Sequence, residues 1–385
     1  MSARVLMTGA TGFLGREALL RLLARGDQVH VTTRLKPGEG LADADARLRA
    51  LVQGLDPAVS LARLVVVRAD VTEPQLGLAA ADLAALLEGD APIHVLHGAA
   101  EVRFDLPREV MERQNVMGTR NVVALARELA ARGRLARLDY VSTAFVAGAY
   151  AGVAPEAPAS DAAPPRNEYE RSKRLAEAEV WGSGLPFCIH RPSIIVGDSR
   201  TGRAASFKVL YWPLKLYARG YWRLVFGRPG CLVDVVPVDF VADAMLALLD
   251  TPEALGRAFH LAAGPARQAR IDVLARQAER FFRRRRVRFL DPDLYFRWLR
   301  PVLLPLIRLL RPGLAERGRV FLPYLTDNPA FATDAAEALL APRGLTPPRV
   351  EAYFDVIMAY ARDTDFGRHA ALAPETQGAL VDTRR

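Results

Sequence analysis

Near its amino terminus the chain reads ARVLMTGATGFLGREALLRLLARG (residues 3–26), a strand, a glycine turn and a helix in immediate succession. Val5, Leu6 and Met7 form a short apolar run suited to a buried strand. Leu19, Leu20, Leu22 and Leu23 give the next segment a helical apolar face. Between them Gly9, Gly12 and Gly15 stand in the spacing G-x-x-G-x-x-G. Glycines there let the backbone turn sharply and approach a pyrophosphate, whose charge is favoured at a helix amino terminus. A glycine trio alone is weak. Directly after a strand and before a helix, it predicts a dinucleotide site built from Gly9, Thr11, Gly12, Phe13, Leu14 and Gly15.

The next segments keep the rhythm of strand and helix. QVHVTTR (28–34), LVVVRADVT (64–72), PIHVLHGAAEV (92–102), RLDYVSTAFVAG (137–148) and PFCIHRPSIIVG (186–197) read as strands separated by helical stretches. This alternation predicts an α/β fold, a Rossmann-type, doubly wound parallel sheet whose ligands gather at the carboxyl ends of the strands. Arg34, Asp70, His97, Thr143 and Pro192 all fall there. So do Val71, the small residues Ala99 and Ala100, and Ser193, which complete the expected cofactor contacts. NAD sites usually end the second strand with an acid for the ribose 2′-hydroxyl. Here Arg34 and Lys36 replace it, so NADPH is the expected cofactor, the guanidinium meeting the 2′-phosphate. The plain alternative is an exposed arginine at a strand end.

Composition narrows the setting. The 385 residues, 51% hydrophobic and 25% charged, are ordinary for a globular protein and suffice for one large α/β unit with an appendage. Cys188 and Cys231 form no disulfide framework and have no metal-ligand spacing. No metal is expected. The start lacks a signal-peptide pattern, and no run reaches the roughly 18 apolar residues of a membrane span. A cytoplasmic location is therefore expected. The net charge is +9, and RFFRRRRVRF (280–289) is the sharpest basic run. No nucleic-acid motif accompanies it, so a solvated face, a polyanionic substrate or a peripheral contact with an anionic membrane are its readings.

NEYERSKRLAEAEV (167–180) puts Tyr169 and Lys173 in a Y-x-x-x-K spacing. Alone this is any charged helix face, since Glu168, Arg171, Glu177 and their neighbours supply ordinary i,i+4 lacing. Inside a dinucleotide fold, after the strand-end pair Ser142–Thr143, it resembles the short-chain dehydrogenase/reductase superfamily in its extended branch. The blocks LHGAAEVRF, NVMGTRNVV, YVSTAFVAG, HRPSIIVGDSRTG and VDVVPVDFVADAM, in that order, resemble the thioester and fatty-acyl reductases of the male-sterility group across residues 1–265.

That resemblance implies an NADPH-dependent reduction of an acyl thioester, carried by coenzyme A or an acyl-carrier protein, to the aldehyde or onward to the alcohol. It casts Tyr169 as proton donor, Thr143 as its supporting hydroxyl, Lys173 as the cation that lowers the tyrosine pKa and holds the nicotinamide ribose, and Asn115 as the residue orienting the lysine. It also implies a homodimer. Other extended-branch activities, a sugar-nucleotide epimerase or dehydratase or a hydroxysteroid-type dehydrogenase, share this set, but the apolar stretch 203–226 suits them poorly. A non-catalytic redox sensor on this fold would often lack the tyrosine–lysine pair. Ser142 is expected to bond locally, His97 is as readily structural as chemical, and His190 is given no role. Cys188 reads as a small buried hydrophobe.

The chain divides in expectation at residue 265. Residues 1–265 bind the cofactor, with a substrate-side insertion at about 199–234, and 266–385 form a smaller, mainly helical substrate or lid region. The insertion reads either as an apolar wall with cationic rims for an acyl chain or as an amphipathic helix packed on the sheet. WLRPVLLPLIRLLRP (298–312) is expected to cap a core or rest on a membrane surface, and the tail 369–385 to be loose.

Overall fold

The structure is a computed structural model that describes residues 2–88, 91–221, 224–294 and 322–368, together with Arg297. The capping segment 298–312 and the tail 369–385 lie outside the described residues. The glycine turn joins β1 (Arg4–Thr8) to α1 (Phe13–Ala24) as expected. There follow β2 (Gln28–Thr33), α2 (Leu41–Leu55), β3 (Leu64–Arg68), α3 (Ala80–Leu87) and β4 (Ile93–His97). A long helix α4 (108–131), whose turn Glu112–Met117 is π-helical, leads to β5 (Leu135–Val141). Next come α5 (Glu168–Trp181), β6 (Phe187–Pro192), α6 (Tyr211–Ala218), α7 (Val238–Leu249), β7 (Arg257–Leu261), α8 (Ile271–Phe282), α9 (Asp334–Leu340) and α10 (Val350–Asp363).

All seven strands run parallel in the order β3-β2-β1-β4-β5-β6-β7. The period of two explains how so short a strand as β1 nucleates both layers. Val5 and Met7 pack with Leu19 and Leu22 of α1 and Val241 of α7, whereas Leu6 faces Val122 of α4 and Ala176 of α5. Both faces are covered, which is why the strands read as apolar runs and not as alternations. Between β1 and β4 the chain switches from one side of the sheet to the other, and a crevice opens there at the carboxyl edge.

A second apolar cluster stands beyond that edge. Tyr211, Leu214 and Tyr217 of α6 meet Ile271 and Leu274 of α8 and Tyr353, Phe354 and Ile357 of α10. The insertion therefore does not lie along the central sheet. Its helix is only Tyr211–Ala218, and short strands Leu224–Phe226 and Leu232–Val233 pair with Arg288–Leu290 and Ala269–Arg270. The carboxyl-terminal part is also less purely helical than its sequence predicts. Ala330–Phe331 pairs with Val153–Ala154, and α9 returns Ala336 and Leu340 to the first cluster. Among the described residues no helix is long and apolar enough to cross a membrane. Arg283 to Arg286 of the basic run are all exposed.

Candidate active site

The glycine turn is tight enough to require its residue type. Gly9 has φ +76°, and a Cβ on it would lie 2.5 Å from the Ala99 amide nitrogen. A Cβ on Gly15 would lie 2.0 Å from the Gly9 carbonyl oxygen. No side chain caps the amino terminus of α1, so its first-turn amides face the crevice, the arrangement a pyrophosphate uses. Arg16 braces the turn by donating to the Thr11 carbonyl at 2.8 Å. These residues fit a dinucleotide.

Around that turn the strand ends come together. Arg34 and Lys36 are exposed beyond β2, and Arg47 of α2 donates to Thr33 Oγ1 at 3.4 Å. Sequence reasoning missed Arg47, which sits a helix away in the chain. Glu39 accepts from Arg47 at 2.8 Å, and that bond, with the Lys36 amide, holds its carboxyl down at about 2. Asp70 follows β3 and closes its own turn by accepting from the Thr72 amide and hydroxyl, both at 2.9 Å. The Val71 carbonyl accepts from Asn121, and Val71 also lies against Gly118. Ala99 and Ala100 line the edge after β4, where the Ala99 amide donates to Thr8 Oγ1 at 3.1 Å. His97 is structural: it bridges Thr8 at 2.7 Å and Thr119 at 3.1 Å, and burial pushes it down to about 3, so it stays neutral.

The predicted catalytic groups meet across β5, β6 and α5. Asn167 caps α5 by accepting the Glu170 amide at 2.9 Å. Tyr169 therefore sits in the first turn, half-buried at the crevice. Burial pushes its phenol up to about 12, opposed by a hydrogen bond with Thr143 and assisted by the Glu170 charge. The phenol is thus a protonated donor at neutral pH. Thr143 also lies 3.4 Å from the Pro192 carbonyl, which ties the end of β5 to the end of β6, next to the buried Ser193. The Phe104 ring stands 5.1 Å from Tyr169 and 5.9 Å from Tyr324, an aromatic wall that no spacing rule exposes.

Lys173 lies one turn along α5, almost fully buried. Its ammonium donates to the Val141 carbonyl at 2.7 Å and rests 4.3 Å over the Tyr140 ring. Burial pulls it down to about 7, with Glu177 opposing. Glu177 is held by Ser142 at 2.6 Å and by an ion pair with the buried Arg191 of β6, so the Ser142 hydroxyl bonds across to α5, not within its own turn. Breaking such a pair from one side typically costs about 3–5 kcal/mol, and this one pins α5 to the sheet. Asn115 meets the residue next to Lys173. Its Nδ2 donates to Ser172 at 2.9 Å and to the Glu101 carbonyl at 3.0 Å, so it reaches Lys173 only through the neighbouring residue. The π turn supplies the extra residue that aims it there. His190 pairs with Asp139 at 2.9 Å below the sheet, beside Arg137 and away from this group.

The low pKa of Lys173 has a consequence for stability. An unfolded lysine keeps its proton to about 10.5, so folding releases a proton between about pH 7 and that value. Stability must then rise with pH across the window, by at most about 1.4 kcal/mol per pH unit. The expected result in thermal melts is that the Tm of the native protein climbs relative to that of Lys173→Met from about pH 7 upward. Parallel curves for the two proteins would refute the buried, depressed lysine.

A parallel sheet of this order, with a glycine cradle at its switch point and a hydroxyl, tyrosine and lysine facing it, defines an extended short-chain dehydrogenase/reductase, an NAD(P)-binding oxidoreductase. The sequence model of the family described as Male sterility protein matches residues 7–245. The chain is 30% identical over 279 residues to the nonribosomal peptide synthetase asaC of Aspergillus flavus, covering 67% of this chain and 26% of that protein. It is 30% identical over 285 residues to the fatty acyl-CoA reductase wat of Drosophila melanogaster, covering 63% of this chain and 53% of that one. The solved terminal R domain from the myxalamid PKS-NRPS pathway superposes with a TM-score of 0.76 at 27% identity, covering 95% of this chain and 92% of that one. The chain thus spans from a quarter to about half of these two curated relatives. It belongs to the family described as Male sterility protein.

Proposed function

We propose that this protein reduces an acyl thioester to the corresponding aldehyde with NADPH. The observation that carries the reading is the Tyr169 phenol, half-buried at the strand ends, hydrogen-bonded to Thr143 and set 5.1 Å from the Phe104 ring. Bound at the glycine turn, with Arg34 and Lys36 toward its 2′-phosphate, NADPH would supply a hydride to the thioester carbonyl carbon. The chain's own groups do the rest. Tyr169, with the Thr143 hydroxyl supporting its phenol, holds the carbonyl oxygen, and as negative charge grows there Tyr169 transfers its proton to it. Lys173 stabilises the tyrosinate that remains, an effect it exerts only once charge develops. The resulting hemithioacetal expels its thiol and leaves the aldehyde. Residues 1–265 hold the cofactor, while 199–234 and the carboxyl-terminal part wall the acyl group. The relatives named as a fatty acyl-CoA reductase and as a nonribosomal peptide synthetase support a thioester as the substrate class.

The test is NADPH oxidation with palmitoyl-CoA, shorter acyl-CoAs and acyl-carrier protein, with mass spectrometry of the products. Aldehyde or alcohol is the expected result; no turnover of any of them would refute the thioester reading. The cofactor assignment has its own test. A charge-assisted contact contributes about 1.5–3 kcal/mol, so Arg34→Ala is expected to weaken NADPH binding roughly 10- to 100-fold while leaving NADH binding within about threefold. Equal loss for both cofactors would remove Arg34 from the 2′-phosphate.

A further inference from the structure

Beyond the crevice lies a partly open apolar pocket of about 130 Å³, walled by α6 and α8 and by Ile194, Val233, Val287 and Phe289. It approaches the roughly 150 Å³ at which an engineered apolar cavity takes up benzene, so it has room for a chain end of about six carbons. Tyr324 lines this space and also belongs to the aromatic wall of the active site. Its ring stacks on Phe104, which touches Tyr169, and packs edge-on against Phe145 at 5.5 Å.

The Tyr324 ring is held unusually well for a side chain between two spaces. Its hydroxyl donates to the buried Glu170 at 2.6 Å and accepts from Asn167 at 2.6 Å. Arg166 lies 4.1 Å over the ring face and is itself fixed to Glu170 and Asn328. Asn167 and Glu170 belong to the cap and first turn of α5, the turn that carries Tyr169. One aromatic side chain is therefore clamped to the catalytic helix on one side and forms the wall of an apolar chamber on the other.

We infer that Tyr324 sets the acyl chain length this enzyme accepts, as a fixed partition between the reacting carbonyl at Tyr169 and the apolar chamber that takes the chain end. The inference rests on the thioester reading above and adds the chamber and its partition to it. Chains long enough to pass the ring gain the chamber's apolar contacts, about fourfold in affinity per methylene removed from water. Shorter chains end against the ring. No hydride or proton passes through Tyr324.

The test compares kcat/KM for palmitoyl and octanoyl thioesters of coenzyme A or pantetheine. Removing the ring in Tyr324→Ala is expected to lower the palmitoyl-to-octanoyl ratio at least tenfold by raising kcat/KM for octanoyl, because a chain that ended against the ring can then place about three methylenes in the chamber at about fourfold each. Ala275→Phe, which fills the chamber from α8 without touching the Tyr324 hydrogen bonds, is expected to lower the ratio at least tenfold. Tyr324→Phe keeps the ring and should hold the ratio within about threefold of the native value, whatever it does to turnover. Should Tyr324→Ala not fold, Tyr324→Leu takes its place with the same expected direction. Ratios within threefold in both the truncated and the filled variants overturn the inference, and a shift in Ala275→Phe alone overturns the role of Tyr324. In both cases the native enzyme still reduces thioesters. Failure of the native enzyme on every thioester would instead refute the function and the inference with it.

Discussion

Tyr169→Phe is expected to lower kcat/KM for the thioester by roughly 10²–10⁴-fold, the range general acid catalysis contributes, while NADPH binding stays within about threefold. The substitution removes one oxygen and keeps the ring that packs at 5.1 Å against Phe104, so α5 and its cap are preserved. What disappears is the proton that must reach the carbonyl oxygen as it becomes negative. Thr143 cannot replace it, because its hydroxyl is drawn toward the Pro192 carbonyl and accepts the Phe145 amide at 3.3 Å. Single-turnover NADPH oxidation with product analysis reads the loss, and fluorescence titration reads the binding. A variant with native turnover would remove Tyr169 from the chemistry and leave Lys173 as an ordinary buried cation.

Gly15→Ala should abolish tight NADPH binding, with an affinity loss on the order of 100-fold and a stability loss of about 1–3 kcal/mol, the usual cost of overpacking. The added methyl would meet the Gly9 oxygen at 2.0 Å, the Gly9 carbonyl carbon at 2.9 Å and the Ala10 Cα at 3.0 Å. All three are backbone atoms, so no rotamer relieves the clash. Gly9 has nowhere to move, since it is already wedged against Gly98 and Ala99 at the end of β4. The turn must open, and with it the approach of the backbone to the pyrophosphate. Titration with NADPH and a thermal melt measure the two effects. An affinity within threefold of native would show that the pyrophosphate does not use this turn.

The two substitutions separate what each part of the site contributes. On the proposed function, the glycine turn would govern cofactor binding and Tyr169 the reduction of the bound thioester. The buried Arg191–Glu177 pair serves neither directly. It fixes the angle of α5 against β6 and so keeps Tyr169 and Lys173 facing the strand ends.

Local pattern alone determined the amino-terminal half. A strand, three spaced glycines and a helix leave one fold, because the same residues that bind a pyrophosphate require a parallel strand end to sit on. The strand runs, the exposed cations after β2 and the Tyr169–Lys173 spacing are likewise set within a few residues of one another, and all were legible. Tertiary structure decided the rest. Arg47, Phe104 and Tyr324 reach the site from different elements, Asn115 is turned onto Ser172 by a π turn, and Lys173 is drawn to Val141 by burial. The insertion looked able to lie on the sheet, yet its apolar face found α8 and α10 instead. An apolar periodicity says that a face will be buried but not against what, because the hydrophobic effect has no direction. Which surfaces meet, and so which side chains wall the substrate, is settled only when distant segments pack.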